Sequence, residues 1–100
     1  MKPKGGYVYI VSNKNRTVLY TGVTAKLYSR IFDHRSGNGS KFTKKYNCTD
    51  LIYYCFYDSI EEAIMKEKQI KKWKRAWKDQ LIQRFNPEIK DLYDEVSEMQ

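Results

Sequence analysis

Apolar and polar positions alternate between two periods along this chain. Tyr7-Val8-Tyr9-Ile10-Val11 is a β-branched and aromatic run, which predicts a strand. Ser12-Asn13-Lys14-Asn15-Arg16 is turn chemistry, and Thr17-Val18-Leu19-Tyr20-Thr21 is a second strand ended by Gly22, so the pair reads as a β-hairpin. Thr24 offers an N-cap, Leu27, Ile31 and His34 follow at helical spacing, and Ser36-Gly37-Asn38-Gly39 stops that helix. Residues 37–50 are polar and rich in Gly and Lys, which predicts a loop. The nearly continuous apolar run Leu51-Ile52-Tyr53-Tyr54-Cys55-Phe56-Tyr57 suits a buried central strand.

Ser59, with Glu62 three residues on, reads as a capping box opening a helix. Ile60, Ala63, Ile64, Ile70, Trp73 and Trp77 form its apolar stripe, a spacing that predicts burial of both tryptophans. The stretch through Phe85 is long for one helix, so a break is expected at residues 72–74. Asn86-Pro87 stops the second piece, and one short turn is expected near Asp91-Leu92-Tyr93. The order is β-β-α-β-α-α. It predicts an α+β fold with a small three-stranded antiparallel or mixed sheet flanked by helices.

Composition sharpens this picture. With 100 residues, 41% hydrophobic and 15% aromatic, the chain supports one modest core and is not a disordered segment. Charge divides it: residues 88–100 hold five acids against Lys90, while the remainder carries 18 bases against 7 acids. The expected organisation is a basic domain over residues 1–87 and an acidic tail over 88–100. A basic body suggests a polyanionic partner, nucleic acid first, with a solvated lysine-rich surface as the structural alternative. Cys48 and Cys55 lack the further Cys or His of a zinc set. Cys55 reads as a small core residue, and Cys48 lies in the polar loop. The N-terminus lacks the apolar stretch of a signal peptide and no run is long enough to span a membrane, so a cytoplasmic location is expected.

Four features carry candidate chemistry. Glu67 falls within the apolar stripe of its own helix, where a bare carboxylate is costly. It calls for a metal, an arginine or water, unless it is an edge residue paired with Lys71. Arg30 and His34 share a helix face, a fork suited to phosphate beside a group suited to proton transfer; a surface Arg beside a half-buried His is the alternative. Tyr9 and Tyr20 can position a water or substrate, or simply pack on the sheet. Two basic clusters can track a phosphate backbone: Lys41, Lys44 and Lys45 in the loop, and the run containing Lys68, Lys71, Lys72 and Arg75.

In this order the residues resemble the GIY-YIG nuclease family, in particular its short single-domain bacterial members. Tyr7-Val8-Tyr9 stands for G-I-Y and Tyr20-Thr21-Gly22 for Y-I-G; Arg30, His34, Glu67 and Asn86 fall on the family's later positions. Tyr7 and Thr21 depart from the motif's glycine and isoleucine, and Val23 replaces a basic residue found in some repair relatives. The resemblance spans residues 7–87. It implies metal-dependent endonucleolytic hydrolysis of DNA, with RNA left open, in a role such as repair or recombination. It further implies Mg²⁺ or Mn²⁺ held by Glu67, and Arg30 against a phosphate oxygen. Tyr20 would orient or deprotonate water with support from Tyr9, His34 would be an alternative base or relay, and Asn86 would orient a neighbouring group. A non-catalytic nucleic-acid-binding module on the same fold is the other expectation.

Overall fold

The computed structural model describes residues 5–99. Strand β1 (Gly6–Ser12) lies at the centre of a three-stranded antiparallel sheet, between β2 (Leu19–Thr24) and β3 (Asp50–Tyr57). The helices are α1 (Leu27–Arg35), α2 (Lys41–Lys45), α3 (Ile60–Lys71), α4 (Arg75–Phe85) and α5 (Tyr93–Ser97).

The alternation of β1 builds two cores. Tyr9 and Val11 face Leu27 and Ile31 of α1, together with Cys48, Leu51, Leu92 and Val96. Val8 and Ile10 face Ala63 and Ile70 of α3, together with Ile52, Tyr53 and Ile82. Because both faces of β1 are covered, Val8 through Ser12 are all buried. The central strand is therefore β1, not the apolar run of residues 51–57. That run lies at a sheet edge, and Phe56 is exposed there. Its continuous apolarity has a local cause. The register shifts at Ile10/Val11, where Ile10 pairs with Tyr53 and Val11 with Leu51. The resulting bulge sends consecutive Ile52 and Tyr53 to the same face.

Several expectations change in detail. Strand β2 continues past Gly22 to Thr24, and Thr24 does not cap α1: its Oγ1 accepts the Lys26 N–H at 3.0 Å, while Lys26 occupies the cap position. Ser59 does cap α3 through the Glu62 N–H, and its hydroxyl donates to the Glu61 carboxylate at 2.7 Å, but the Glu62 carboxylate does not accept the Ser59 N–H that would complete the box. The break at residues 72–74 is present. It resets the helical phase, which is why the stripe does not continue: Trp73 packs against the core but Trp77 is 51% exposed. The two cysteines exchange roles, since Cys48 is fully buried and Cys55 only partly. The Cys48 N–H donates to the Thr43 carbonyl at 2.9 Å, so the chain turns inward after α2 although its neighbours are polar.

The acidic segment is tied to this body. Leu92 and Val96 are buried in the first core. Asp91 accepts from Arg35 at 2.7 Å and from the Leu51 N–H at 3.0 Å, and Tyr54 donates to Glu95. Two of its acids, Asp91 and Glu95, are thus held by specific partners while Leu92 and Val96 face inward.

Candidate active site

The site grows from the buried hydroxyl of Tyr9. Tyr9 pairs with Gly22 across the hairpin, and a Cβ at Gly22 would lie 2.4 Å from both Cζ and Oη of the phenol. The glycine leaves the space that the ring occupies; it does not serve a turn. From α1, one turn apart, Arg30 and His34 reach the same hydroxyl. Arg30 Nε donates to Tyr9 Oη at 3.4 Å, and His34 Nε2 lies 2.9 Å from it.

The other imidazole nitrogen fixes the tautomer. His34 Nδ1 lies 3.0 Å from Thr43 Oγ1, and the Thr43 hydroxyl donates to the Ser40 carbonyl at 3.1 Å. With its hydrogen committed, Thr43 accepts from Nδ1–H. The network therefore assigns Nε2 as the acceptor of the Tyr9 O–H. The result is one directed chain, running from Tyr9 through His34 and Thr43 to a backbone carbonyl. His34 is 2% exposed, and burial, then the nearby Arg30 charge, hold its pKa down at about 4. It is neutral at pH 7. Burial also pushes Tyr9 up to about 12, against the opposing hydrogen bond and charge of Arg30.

Tyr20 stands edge-on to His34, ring centroids 5.8 Å apart, and 5.8 Å from Phe42. Phe42 in turn lies 4.8 Å from Tyr46, so a row of rings runs outward from the site along α2. Lys71 Nζ sits 5.5 Å from the Tyr20 ring centroid and 2.9 Å from the Glu67 carboxylate, whose side chain is only 12% exposed. The charges of Tyr20 and Glu67 both oppose ionisation of Tyr9, which places the two groups in its electrostatic neighbourhood. Tyr9, Tyr20, Arg30, His34 and Glu67 are thus assembled from β1, β2, α1 and α3.

Asn86 is not brought to this cluster. It is buried across the sheet, where its Nδ2 donates to the Ile52 carbonyl at 3.2 Å and the Lys90 carbonyl at 2.8 Å, and its Oδ1 accepts from the Lys90 N–H at 3.3 Å. Lys41, Lys44 and Lys45 are exposed on α2, as are Lys68 and Lys71 on α3 and Lys72 at its C-cap. The Arg75 guanidinium is engaged with the hairpin loop, donating to the Thr17 carbonyl at 3.0 Å and the Arg16 carbonyl at 2.7 Å, and pairs with Asp79.

Sequence reasoning missed α2 and with it Thr43, the residue that orients His34. Five residues are too few for a periodic signal. A usable signal was Ser40 three residues before Thr43, since Ser40 Oγ accepts the Thr43 N–H at 3.2 Å as an N-cap. Gly39 belongs to the same device: a Cβ there would meet His34 Nδ1 at 2.3 Å.

A glycine-backed tyrosine, an arginine and histidine one helical turn apart, and a carboxylate on a later helix thus gather in one cluster, and the chain's class follows from its family. The family model of the GIY-YIG catalytic domain matches residues 5–80, and the chain belongs to that family. It is 42% identical over 83 residues to a UPF0213 protein of Syntrophus aciditrophicus, covering 82% of this chain and 93% of that one. A UPF0213 protein of Clostridium perfringens is 42% identical over 76 residues, covering 76% and 81% respectively. Among solved structures, the solution NMR structure of a UPF0213 protein from Bacillus halodurans aligns with a TM-score of 0.50 at 36% identity, covering 78% of this chain and 82% of that one. No helix among the described residues is long and apolar enough to cross a membrane.

GIY-YIG nucleases generally use divalent metal ions. Among the described residues no three His, Cys, Asp or Glu side chains gather to cage one. The donor chemistry nevertheless fits a hard divalent cation. Mg²⁺ characteristically binds through one or two carboxylates and completes its shell with water and substrate phosphate. Glu67 supplies one such carboxylate, shielded from solvent and already balanced by a cation, Lys71.

Proposed function

We propose that this protein is a divalent-metal-dependent endonuclease that hydrolyses phosphodiester bonds in DNA. The observation that carries the reading is the directed hydrogen-bond chain from Tyr9 to His34 and Thr43, beside Arg30.

Tyr9 oxygen accepts from Arg30 and donates to His34, which leaves it one lone pair. A water at that lone pair gives its proton to Tyr9 as the Tyr9 proton moves to His34 Nε2, and the hydroxide so formed bonds to phosphorus as the bond to the leaving oxygen breaks. Ionised Tyr9 never has to accumulate, which suits its high pKa. The imidazolium so formed keeps Nδ1–H on Thr43. Arg30 neutralises a non-bridging phosphate oxygen through the part of its fork not spent on the phenol. Tyr20 flanks the water and orders it by hydrogen bond. Glu67 holds Mg²⁺ or Mn²⁺, which when bound supplies positive charge for the leaving oxygen. The lysines of α2 and α3 hold the strand's phosphates on either side.

The test is cleavage of labelled single-stranded, duplex, nicked and branched DNAs with Mg²⁺ or Mn²⁺, alongside matched RNAs. Glu67→Ala and EDTA are expected to abolish cleavage, and Tyr9→Phe to reduce it by about 10²–10⁴-fold, the usual contribution of a positioned acid or base. Binding across the whole panel without cleavage would overturn the enzymatic reading in favour of a nucleic-acid-binding module. Cleavage of RNA alone would overturn the assignment of DNA.

A further inference from the structure

The tryptophans lie away from the cluster described above. Glu67 and Lys71 turn one flank of α3 toward Tyr20. Lys66, adjacent to Glu67, projects about 100° further round the helix. Its Nζ lies 5.2 Å from the Trp73 ring centroid. Trp73 and Trp77 meet edge to face, centroids 6.2 Å apart with planes at 79°. Lys74 Nζ lies 5.8 Å from the Trp77 centroid. On α4, Trp77, Gln80, Leu81 and Arg84 stand at i, i+3, i+4 and i+7, so one helix face lines an open cavity of about 360 Å³ with Trp73.

This patch carries a burden that folding alone does not explain. An indole half out of water forfeits burial energy, and here it is ringed by cations, which makes the surface poor for an apolar partner. No carboxylate lines the cavity, and among the described residues Lys66, Lys74 and Arg84 form no ion pair. Two rings at a right angle form a corner. A planar heterocycle lying flat on one ring meets the other with its edge. Cations arrayed at the ring faces stand where phosphates flanking such a heterocycle would pass. Aromatic stacking joined to phosphate neutralisation is the chemistry that recognises an unpaired nucleotide.

We propose that Trp73 and Trp77, with Lys66, Lys74 and Arg84, form a second nucleic-acid site that stacks one unpaired base of a bound strand and neutralises its flanking phosphates, remote from the Tyr9 cluster. The inference rests on the nucleic-acid reading given above. It adds a strand-holding point on the α3–α4 flank that the hydrolytic residues do not supply.

The two tryptophans are the only ones in the chain, so intrinsic indole fluorescence reports on this corner alone. The wild-type protein in EDTA is titrated with short oligothymidylate, following tryptophan emission, and separately by anisotropy of a labelled oligonucleotide. Emission is expected to quench with the binding isotherm. Trp77→Ala, a substitution at an exposed position, is expected to weaken binding about tenfold. Trp77→Phe should restore most of the affinity, and the paired change Lys74→Gln, Arg84→Gln should flatten the salt dependence. The melting temperature of each variant, compared with wild type, separates lost folding from lost contact. If wild type binds the oligonucleotide but its emission does not change and Trp77→Ala binds equally, the second site is refuted while the nuclease reading stands. If wild type binds neither this oligonucleotide nor duplex, nicked or branched DNA, the underlying reading has failed; binding of those DNAs without the oligonucleotide refutes the second site alone. A change in sedimentation on Trp77→Ala, with affinity for DNA intact, would assign the patch to a second copy of the chain and overturn the proposal.

Discussion

Acidification should destabilise this protein, with His34 supplying the largest single contribution. His34 is the only histidine, it is 2% exposed, and its pKa lies at about 4 in the fold against an ordinary value near 6.5. The folded-state value is depressed, so between these two pH values the unfolded chain binds a proton that the folded chain refuses. The stability this confers is complete above about pH 6.5 and is lost progressively as pH falls toward about 4. At about 1.4 kcal/mol per unit, the whole window costs about 3 kcal/mol, and the part already lost at pH 5 is about 2 kcal/mol. That is a large share of the stability of a small domain. Urea melts followed by far-ultraviolet circular dichroism at pH 7.5, 6.0 and 5.0 measure it directly. With a slope of about 1–3 kcal/mol per molar, the midpoint should drop by about 0.7–2 M between pH 7.5 and 5.0. General charge repulsion in a basic chain contributes to the same trend, and His34→Gln removes the titrating group while leaving that repulsion in place. Its midpoint should be lower at pH 7.5 and should fall with pH only by the part that this repulsion supplies. Equal pH slopes in the two proteins would refute the claim that His34 is buried neutral with Nε2 as an acceptor.

Two further substitutions probe the geometry. Gly22→Ala introduces a methyl 2.4 Å from the Tyr9 ring, which is buried and cannot swing clear. Overpacking should cost about 1–3 kcal/mol and reduce kcat by at least tenfold by drawing Tyr9 off His34; a full-activity variant with an unchanged melting temperature would show that the close contact is not needed. Asn86→Ala leaves the Ile52 and Lys90 carbonyls without their shared donor, at a cost of about 1–3 kcal/mol, yet nuclease activity per folded molecule should persist well below the melting temperature. Lost cleavage in a stably folded Asn86→Ala protein would return that residue to the active site.

What the sequence discloses depends on how far each signal reaches. Periodicity is local, and it located the hairpin, the long helices and the break at residues 72–74. It could not say which strand is central, because a bulged edge strand made of aromatics looks as apolar as a buried one. Nor could it carry a stripe across the break, which is why Trp77 was expected inside and lies outside. Charge read Asp91 and Glu95 as a tail, but each is spent on a specific partner, Arg35 and Tyr54, while Leu92 and Val96 close the core between them. Asn86 shows the opposite limit: its place in a motif suggests chemistry, whereas its amide is bonded to backbone groups of Ile52 and Lys90 that no motif discloses.

The residue hardest to foresee has the largest consequence. Tyr9, Arg30 and His34 are legible as a set because a strand and one helical turn bring them together. The direction of their hydrogen bonds is not, since it is decided by Thr43, on a five-residue helix in a segment that reads as loop. That helix is also where Phe42, Lys41, Lys44 and Lys45 face solvent. On the proposed reading, the lysines that would meet a strand and the threonine that contacts His34 share one short helix, so a single element serves both.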